Sequence, residues 1–90
     1  MHAVVVRVTV GDFEKARAGL EGEVVPRVSQ SPGFVAGYWT RSPAGTDGLS
    51  MAVFESEDAA RAAADRVRSV DPPETVTIEN VEVREVIAHA

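Results

Sequence analysis

Ninety residues, 44% hydrophobic and 26% charged, make a globular chain the length of one domain (residues 1–90) and exclude collagen-like, low-complexity and disordered classes. Nine basic against fourteen acidic residues leave a net charge of -5, the wrong sign for holding a phosphate backbone, so no nucleic-acid partner is expected. The absence of cysteine excludes disulfides, thiolate metal sites and dithiol redox chemistry, so stability has to come from packing.

His2–Val10 (HAVVVRVTV) is rich in β-branched residues and reads as a strand. One side carries Val4, Val6, Val8 and Val10, and the other Ala3, Val5, Arg7 and Thr9. Gly11 breaks the strand and Asp12 caps a helix whose apolar stripe is Phe13, Ala16, Leu20, Val24 and Val28, with a kink expected between Gly22 and Pro26. Ser31, Pro32 and Gly33 stop that helix, and Phe34–Arg41 (FVAGYWTR) forms a second strand. Residues 42–48 (SPAGTDG) have turn chemistry and residues 49–55 resume a strand, so the two strands form a hairpin. Ser56 caps a second helix over residues 57–70, with Glu57 and Asp58 at its positive end and Ala60, Ala63, Ala64 and Val67 as a narrow apolar stripe. Asp71, Pro72, Pro73 and Glu74 end it, and residues 75–89 read as a long, interrupted strand in which Val81, Val83 and Ile87 share one side.

The order βαββαβ implies an α+β, ferredoxin-like architecture: an antiparallel four-stranded sheet with both helices on one face. The other face would expose an apolar patch larger than a monomer tolerates, so a homodimer with sheets packed face to face is expected. Thirteen Ala and sixteen Val against two Leu and two Ile also give a thin core, which favours self-association. The longest apolar run, residues 3–6, falls far short of the roughly 18 to 20 residues that span a bilayer, and no basic-then-apolar leader opens the chain. A cytoplasmic protein without a membrane partner is expected.

At Val24-Val25-Pro26, Pro32-Gly33-Phe34 and residues 54–60 (FESEDAA), the sequence resembles the antibiotic biosynthesis monooxygenase (ABM) domains of the dimeric α+β barrel superfamily. The resemblance spans most of the chain. It implies a dimeric barrel and, in enzymatic members, a pocket between sheet and helices for a small apolar or aromatic molecule, some of which is oxygenated without metal or flavin. No cofactor and no metal are implied by that reading. Phe54 occupies the place where many members have Trp, keeping the bulk but losing the indole N–H. Haem-degrading members present an iron-ligating His from a helix and an Asn from the first strand, whereas residues 57–70 hold no His and the first strand's polar residues are His2, Arg7 and Thr9.

The residues expected to meet a ligand are Arg7, Trp39, Tyr38 and Phe54, and no catalytic residue is identified. Trp39 and Tyr38 are strand neighbours and therefore face opposite sides, so only one can line a protomer pocket; both also suit packing. An Arg in a valine strand must be paired, reach water or face a cavity, with Glu82 or Glu85 on the last strand as partners within the chain. His2 and His89, the only imidazoles, lie on strands expected to be adjacent. No carboxylate pair, phosphate loop or repeat is indicated. A competing reading is a non-catalytic module that binds its ligand at the subunit boundary.

Overall fold

The structure, a computed structural model, describes all 90 residues. β1 (His2–Val10), β2 (Phe34–Arg41), β3 (Asp47–Phe54) and β4 (Val76–Glu85) form one antiparallel sheet in the order β2-β3-β1-β4. The first helical segment joins β1 to β2 and runs as α1 (Phe13–Gly19), a π turn (Leu20–Val24) and α2 (Val25–Ser29). The second, α3 (Glu57–Ser69), joins β3 to β4. This is the ferredoxin-like βαββαβ fold read from the sequence.

Both helices start as their capping residues dictate. Asp12 Oδ1 accepts a hydrogen bond from the Lys15 N–H at 3.2 Å, and Ser56 Oγ accepts one from the Ala59 N–H at 3.1 Å. The expected kink between Gly22 and Pro26 is instead a π turn: the Val25 N–H donates to the Leu20 carbonyl, five residues back, just before Pro26, which has no N–H. The helix therefore absorbs the proline by widening, with Val24 and Val25 still right-handed.

α3 lies across β1, β3 and β4, and its alanine stripe lets it approach closely. Ala60, Ala63 and Ala64 pack with Val4, Val6 and Phe54 as the buried core. Phe54 is 0% exposed and meets the Phe34 ring edge-on, with centroids 6.0 Å apart and planes at 81°. Gly33 adopts φ +79, and a Cβ there would lie 3.0 Å from Ala59 Cβ, so both conformation and space call for glycine in the turn before β2. Its carbonyl accepts the Glu55 N–H at 2.8 Å, joining the turn to the end of β3.

Two strand ends differ from expectation. β3 begins at Asp47, inside the expected loop, because Thr9 of β1 pairs with it. β4 stops at Glu85, its partner being His2 at the first position of β1, so Val86 to His89 have nothing left to pair with beyond one hydrogen bond from the Val86 N–H to the Met1 carbonyl. Ile87 therefore does not share the packed side of Val81 and Val83; it is 90% exposed. No helix is long and apolar enough to cross a membrane.

Nine residues of 90 are buried, and the accessible surface is 6095 Å². A folded monomer of 9.6 kDa exposes about 5,100 Å² by the usual size scaling, so this chain carries about 1,000 Å² in excess. Phe54→Ala empties the one large, wholly buried side-chain site and should cost about 3–5 kcal/mol, read as a lowered midpoint in urea denaturation.

Candidate functional site

The registers of the three strand pairs sort every strand residue onto one of two faces. Toward the helices, cross-strand rows run Gly37–Ala52–Val4–Val83 and Trp39–Ser50–Val6–Val81, with Arg41–Gly48–Val8–Ile78 beyond them. On the open face the rows are Ala36–Val53–Ala3–Arg84, Tyr38–Met51–Val5–Glu82 and Thr40–Leu49–Arg7–Asn80. Trp39 and Phe54 thus belong to the helix side, and Arg7 and Tyr38 to the open side. The four residues singled out in the sequence do not converge on one place.

Trp39 is half-buried, and its indole is folded back over Gly37: a Cβ on Gly37 would lie 2.9 Å from the ring carbons Cη2 and Cζ3. Glycine at 37 therefore makes room for the ring. Beside Trp39 in its row is Ser50, half-buried and hydroxyl-bearing, which the apolar composition of its strand hides from a sequence reading. The first helical segment contributes Phe13, Ala16, Leu20, Val24 and Val28 on its inner stripe, all of them half-buried, and it buries no residue completely. In contrast, α3 buries three alanines. The sheet is sealed under α3 and more loosely covered by the first helical segment, which meets β2, the strand of Trp39, through α2. At the far edge Arg41 stacks its guanidinium 5.2 Å from the Phe13 ring centroid.

The imidazoles stand elsewhere. His2 shares a row with Phe54 and Glu85, four residues along β1 from the Val6 of Trp39's row, and its Nε2 is 4.0 Å from Glu57 Oε1 at the start of α3. His2 Nδ1 is buried without a hydrogen-bond partner. Glu57 also accepts from Arg61 Nε at 2.8 Å, and this hydrogen bond, with the Arg61 charge, holds its carboxyl below the usual range. His89 lies past the end of β4 and is exposed. No three His, Cys, Asp or Glu side chains come together in a metal-holding group.

On the open face a depression of about 280 Å³ is lined by Val5, Arg7, Leu49 and Met51 on one side and Asn80, Glu82 and Arg84 on the other. Tyr38 is 68% exposed there, and Leu49 and Met51 are exposed as well. Glu82 is saturated by its own strand: Asn80 Nδ2 donates to Oε1 at 3.0 Å and Arg84 Nε to Oε2 at 2.6 Å. The hydrogen bond from Arg84, then that from Asn80, lowers the pKa of Glu82, and the Arg7 charge adds a smaller effect. Neither Glu82 nor Glu85 pairs with Arg7, which is exposed and enters no ion pair within the chain. A broader groove of about 670 Å³ opens between the end of α3 and β4, where Arg68 donates to the Val81 carbonyl at 3.2 Å and caps that strand edge.

No protein-family model matches the chain, and no curated protein matches it in sequence. Solved structures share its fold. A variant of SnoaB, a cofactor-independent oxygenase from Streptomyces nogalater, matches with a TM-score of 0.71 at 19% identity, over 98% of this chain and 94% of that one. The monooxygenase of the gene ActVA-Orf6 from Streptomyces coelicolor, solved with nanaomycin D, matches with a TM-score of 0.57 at 20% identity, over 98% and 92%. MhuD, a heme-degrader from Mycobacterium tuberculosis solved with two hemes in its active site, matches with a TM-score of 0.55 at 21% identity, over 97% and 98%. The chain is thus similar in fold to ABM-type proteins, as its turn and helix-entry motifs suggest, and the likeness extends over nearly its whole length.

Two outcomes test this geometry. Gly37→Ala forces the Trp39 ring off its seat, so tryptophan emission should shift to longer wavelength and stability should fall by about 1–3 kcal/mol. Arg84→Met removes the main cause of the lowered Glu82 pKa, so an NMR titration should show Glu82 protonating at higher pH than in the parent chain. The depressed value means that whatever Glu82 contributes to stability is present above its unfolded pKa and is lost as pH falls through the folded one.

Proposed function

We propose that the chain works as a homodimer that takes a small, largely apolar aromatic molecule between its sheet and its first helical segment, against Trp39, and oxygenates it without metal or flavin. The observation that carries this reading is the half-buried indole of Trp39 on the helix side of the sheet, beneath a helical segment that buries nothing completely. An aromatic wall under a loosely seated helix is where a flat apolar ligand gains most by leaving water. The cofactor-independent oxygenase and the monooxygenase that share the fold support the chemistry by analogy.

A protein without a redox group can serve such a reaction when the substrate itself is acidic at carbon. An activated methylene loses a proton, its carbanion passes electrons to dioxygen, and the net change is CH₂ + O₂ → C=O + H₂O, balanced without any other reductant. The protein then has to position the ring, exclude water and accept a proton. Ser50, beside Trp39, is the hydroxyl in position to hydrogen-bond a substrate oxygen. Phe54 supports the floor of the sheet from within the core.

The dimer reading rests on the open face. About 1,000 Å² of surface beyond that of a monomer of this mass is close to the ~800 Å² that each partner buries in a stable interface. The exposed Tyr38, Leu49 and Met51 supply the apolar part. A cytoplasmic location belongs to the same proposal.

A second reading, a ligand-holding module without turnover, is favoured by one observation: neither imidazole faces Trp39, His2 being turned to α3 and His89 lying beyond β4. The two are separated by titrating Trp39 emission with anthrones, quinones, flavin and haem, with free indole as the inner-filter control, and by oxygen uptake on whatever binds. Saturable quenching by an anthrone-class compound with about one O₂ consumed per product is expected of the enzyme. Quenching without uptake would favour the module, and no response from any compound in folded protein would remove the Trp39 site.

A further inference from the structure

We infer that α1 and the π turn form a lid over the Trp39 row, hinged at residues 19–24 and latched by Arg41 on Phe13. This rests on the ligand site proposed above and adds the way into it.

The first helical segment is placed to cover that row. It starts at Phe13, whose ring atom Cε1 lies 4.0 Å from where a Cβ on Gly48 would stand, so α1 begins over the row of Arg41 and Gly48. It ends in α2, which packs against β2, and in the turn that leads into Phe34. Phe34 and Arg41 are the ends of β2, so the segment runs along that strand and the π turn comes between its ends, level with the rows of Gly37 and Trp39.

Its hold on the rest of the fold is unequal. Of the inner stripe only Val28, in α2, packs against the buried core; Phe13, Ala16, Leu20 and Val24 do not. At the opposite end the tie is the Arg41 guanidinium on the Phe13 ring, 5.2 Å from its centroid, and Arg41 enters no ion pair within the chain.

Between these two points the residues favour unwinding. Neither Gly19 nor Gly22 has a positive φ, and nothing lies within 4 Å of where a Cβ would stand on either. Gly37 and Gly48 differ, since a Cβ on each would come within 2.9 Å of a neighbouring atom. Alanine would fit at 19 and 22 and make a better helix, so these two glycines supply neither room nor a special conformation, only a helix that is easier to open. They stand at the π turn, just ahead of Pro26, which has no N–H to donate to the turn before it. Opening there releases α1 while α2 stays on β2 and α3, with its three buried alanines, stays on the core. With α1 swung out an apolar ring reaches Trp39 from solvent, and with α1 returned the site is closed to water.

The test compares the parent chain with the double variant Gly19→Ala/Gly22→Ala and with Arg41→Gln. Native-state amide hydrogen exchange comes first, without ligand. In the parent, amides of residues 17–25 are expected to be at least about tenfold less protected than those of residues 60–68 in α3, because they exchange through local opening. The double variant should gain about tenfold in protection over residues 17–25, and Arg41→Gln should lose about twofold to fivefold there. Equal protection of the two helical segments in the parent overturns the lid. Stopped-flow quenching of Trp39 by menadione then follows entry. A lid closed in both the free and the bound protein gates both directions, so in the double variant association and dissociation should slow together, by about tenfold, with Kd unchanged, and Arg41→Gln should speed both. Unchanged rates, or a shift in Kd without slower entry, overturn the lid and leave the Trp39 site standing. Absence of saturable quenching in folded protein overturns the site, and with it a lid that serves it.

Discussion

A four-stranded sheet has two faces, and this chain has helices for only one of them. The central strand makes the consequence severe. β1 is flanked by β3 and β4, so its backbone is fully paired, and its side chains alternate between a buried row of valines under the helices and Ala3, Val5, Arg7 and Thr9 on the open side. The helix-side row meets alanines, which keep α3 near the sheet but contribute little volume. The folded monomer consequently has a thin core and surplus surface, and its architecture is most economical when something else covers the open face.

The limits of the sequence reading follow from the same geometry. Capping residues and alternation are local, so Asp12, Ser56 and the strands of Phe34–Arg41 and His2–Val10 can be read directly. Parity within one strand is also local, which is why Tyr38 and Trp39 could be separated onto opposite faces. Parity between strands is not, because it needs register and the side on which the helices pack. Arg7 with Tyr38 and Trp39 with Phe54 therefore look like one set in the sequence and prove to be two. The end of β4 is a similar case. Val86 and Ile87 have strand composition, but a strand extends only as far as its neighbour, and β1 begins at His2. Ser50 is not legible in the sequence, because a single hydroxyl in an apolar strand carries no local signal of what faces it.

The shared fold does not choose the reaction. A cofactor-independent oxygenase and a heme-degrader are both similar to this chain over nearly all of its length. Under the proposed function, what matters is the set of groups that the helix-side rows would present to a ligand. Here that set is an indole, a hydroxyl and aliphatic side chains, a surface suited to orienting an apolar ring whose reactivity is its own. The two carboxyls with depressed pKa values, Glu57 and Glu82, are held by arginines on the surface and lie in neither that row nor its neighbours under α1. Their shifts reflect ion pairing on exposed ground and carry no catalytic meaning.

Because successive strand residues point to opposite faces, the same few peptide units would serve both tasks. Val5 and Arg7 flank Val6; Leu49 and Met51 flank Ser50; Tyr38 precedes Trp39. Each residue of the Trp39 row is therefore bracketed by residues of the open face, and the two sites are separated by the thickness of one backbone. A slip of one residue in any of these strands would exchange the two sets of side chains, so whatever fixes register for one face fixes it for the other. Side chains packed on the open face restrain the peptide units from which Trp39 and Ser50 project, and a ligand site is only as well ordered as the elements that hold it. On this sheet, with a loosely seated helix above the proposed ligand site, that restraint has to come from below, from the partner proposed to cover the open face.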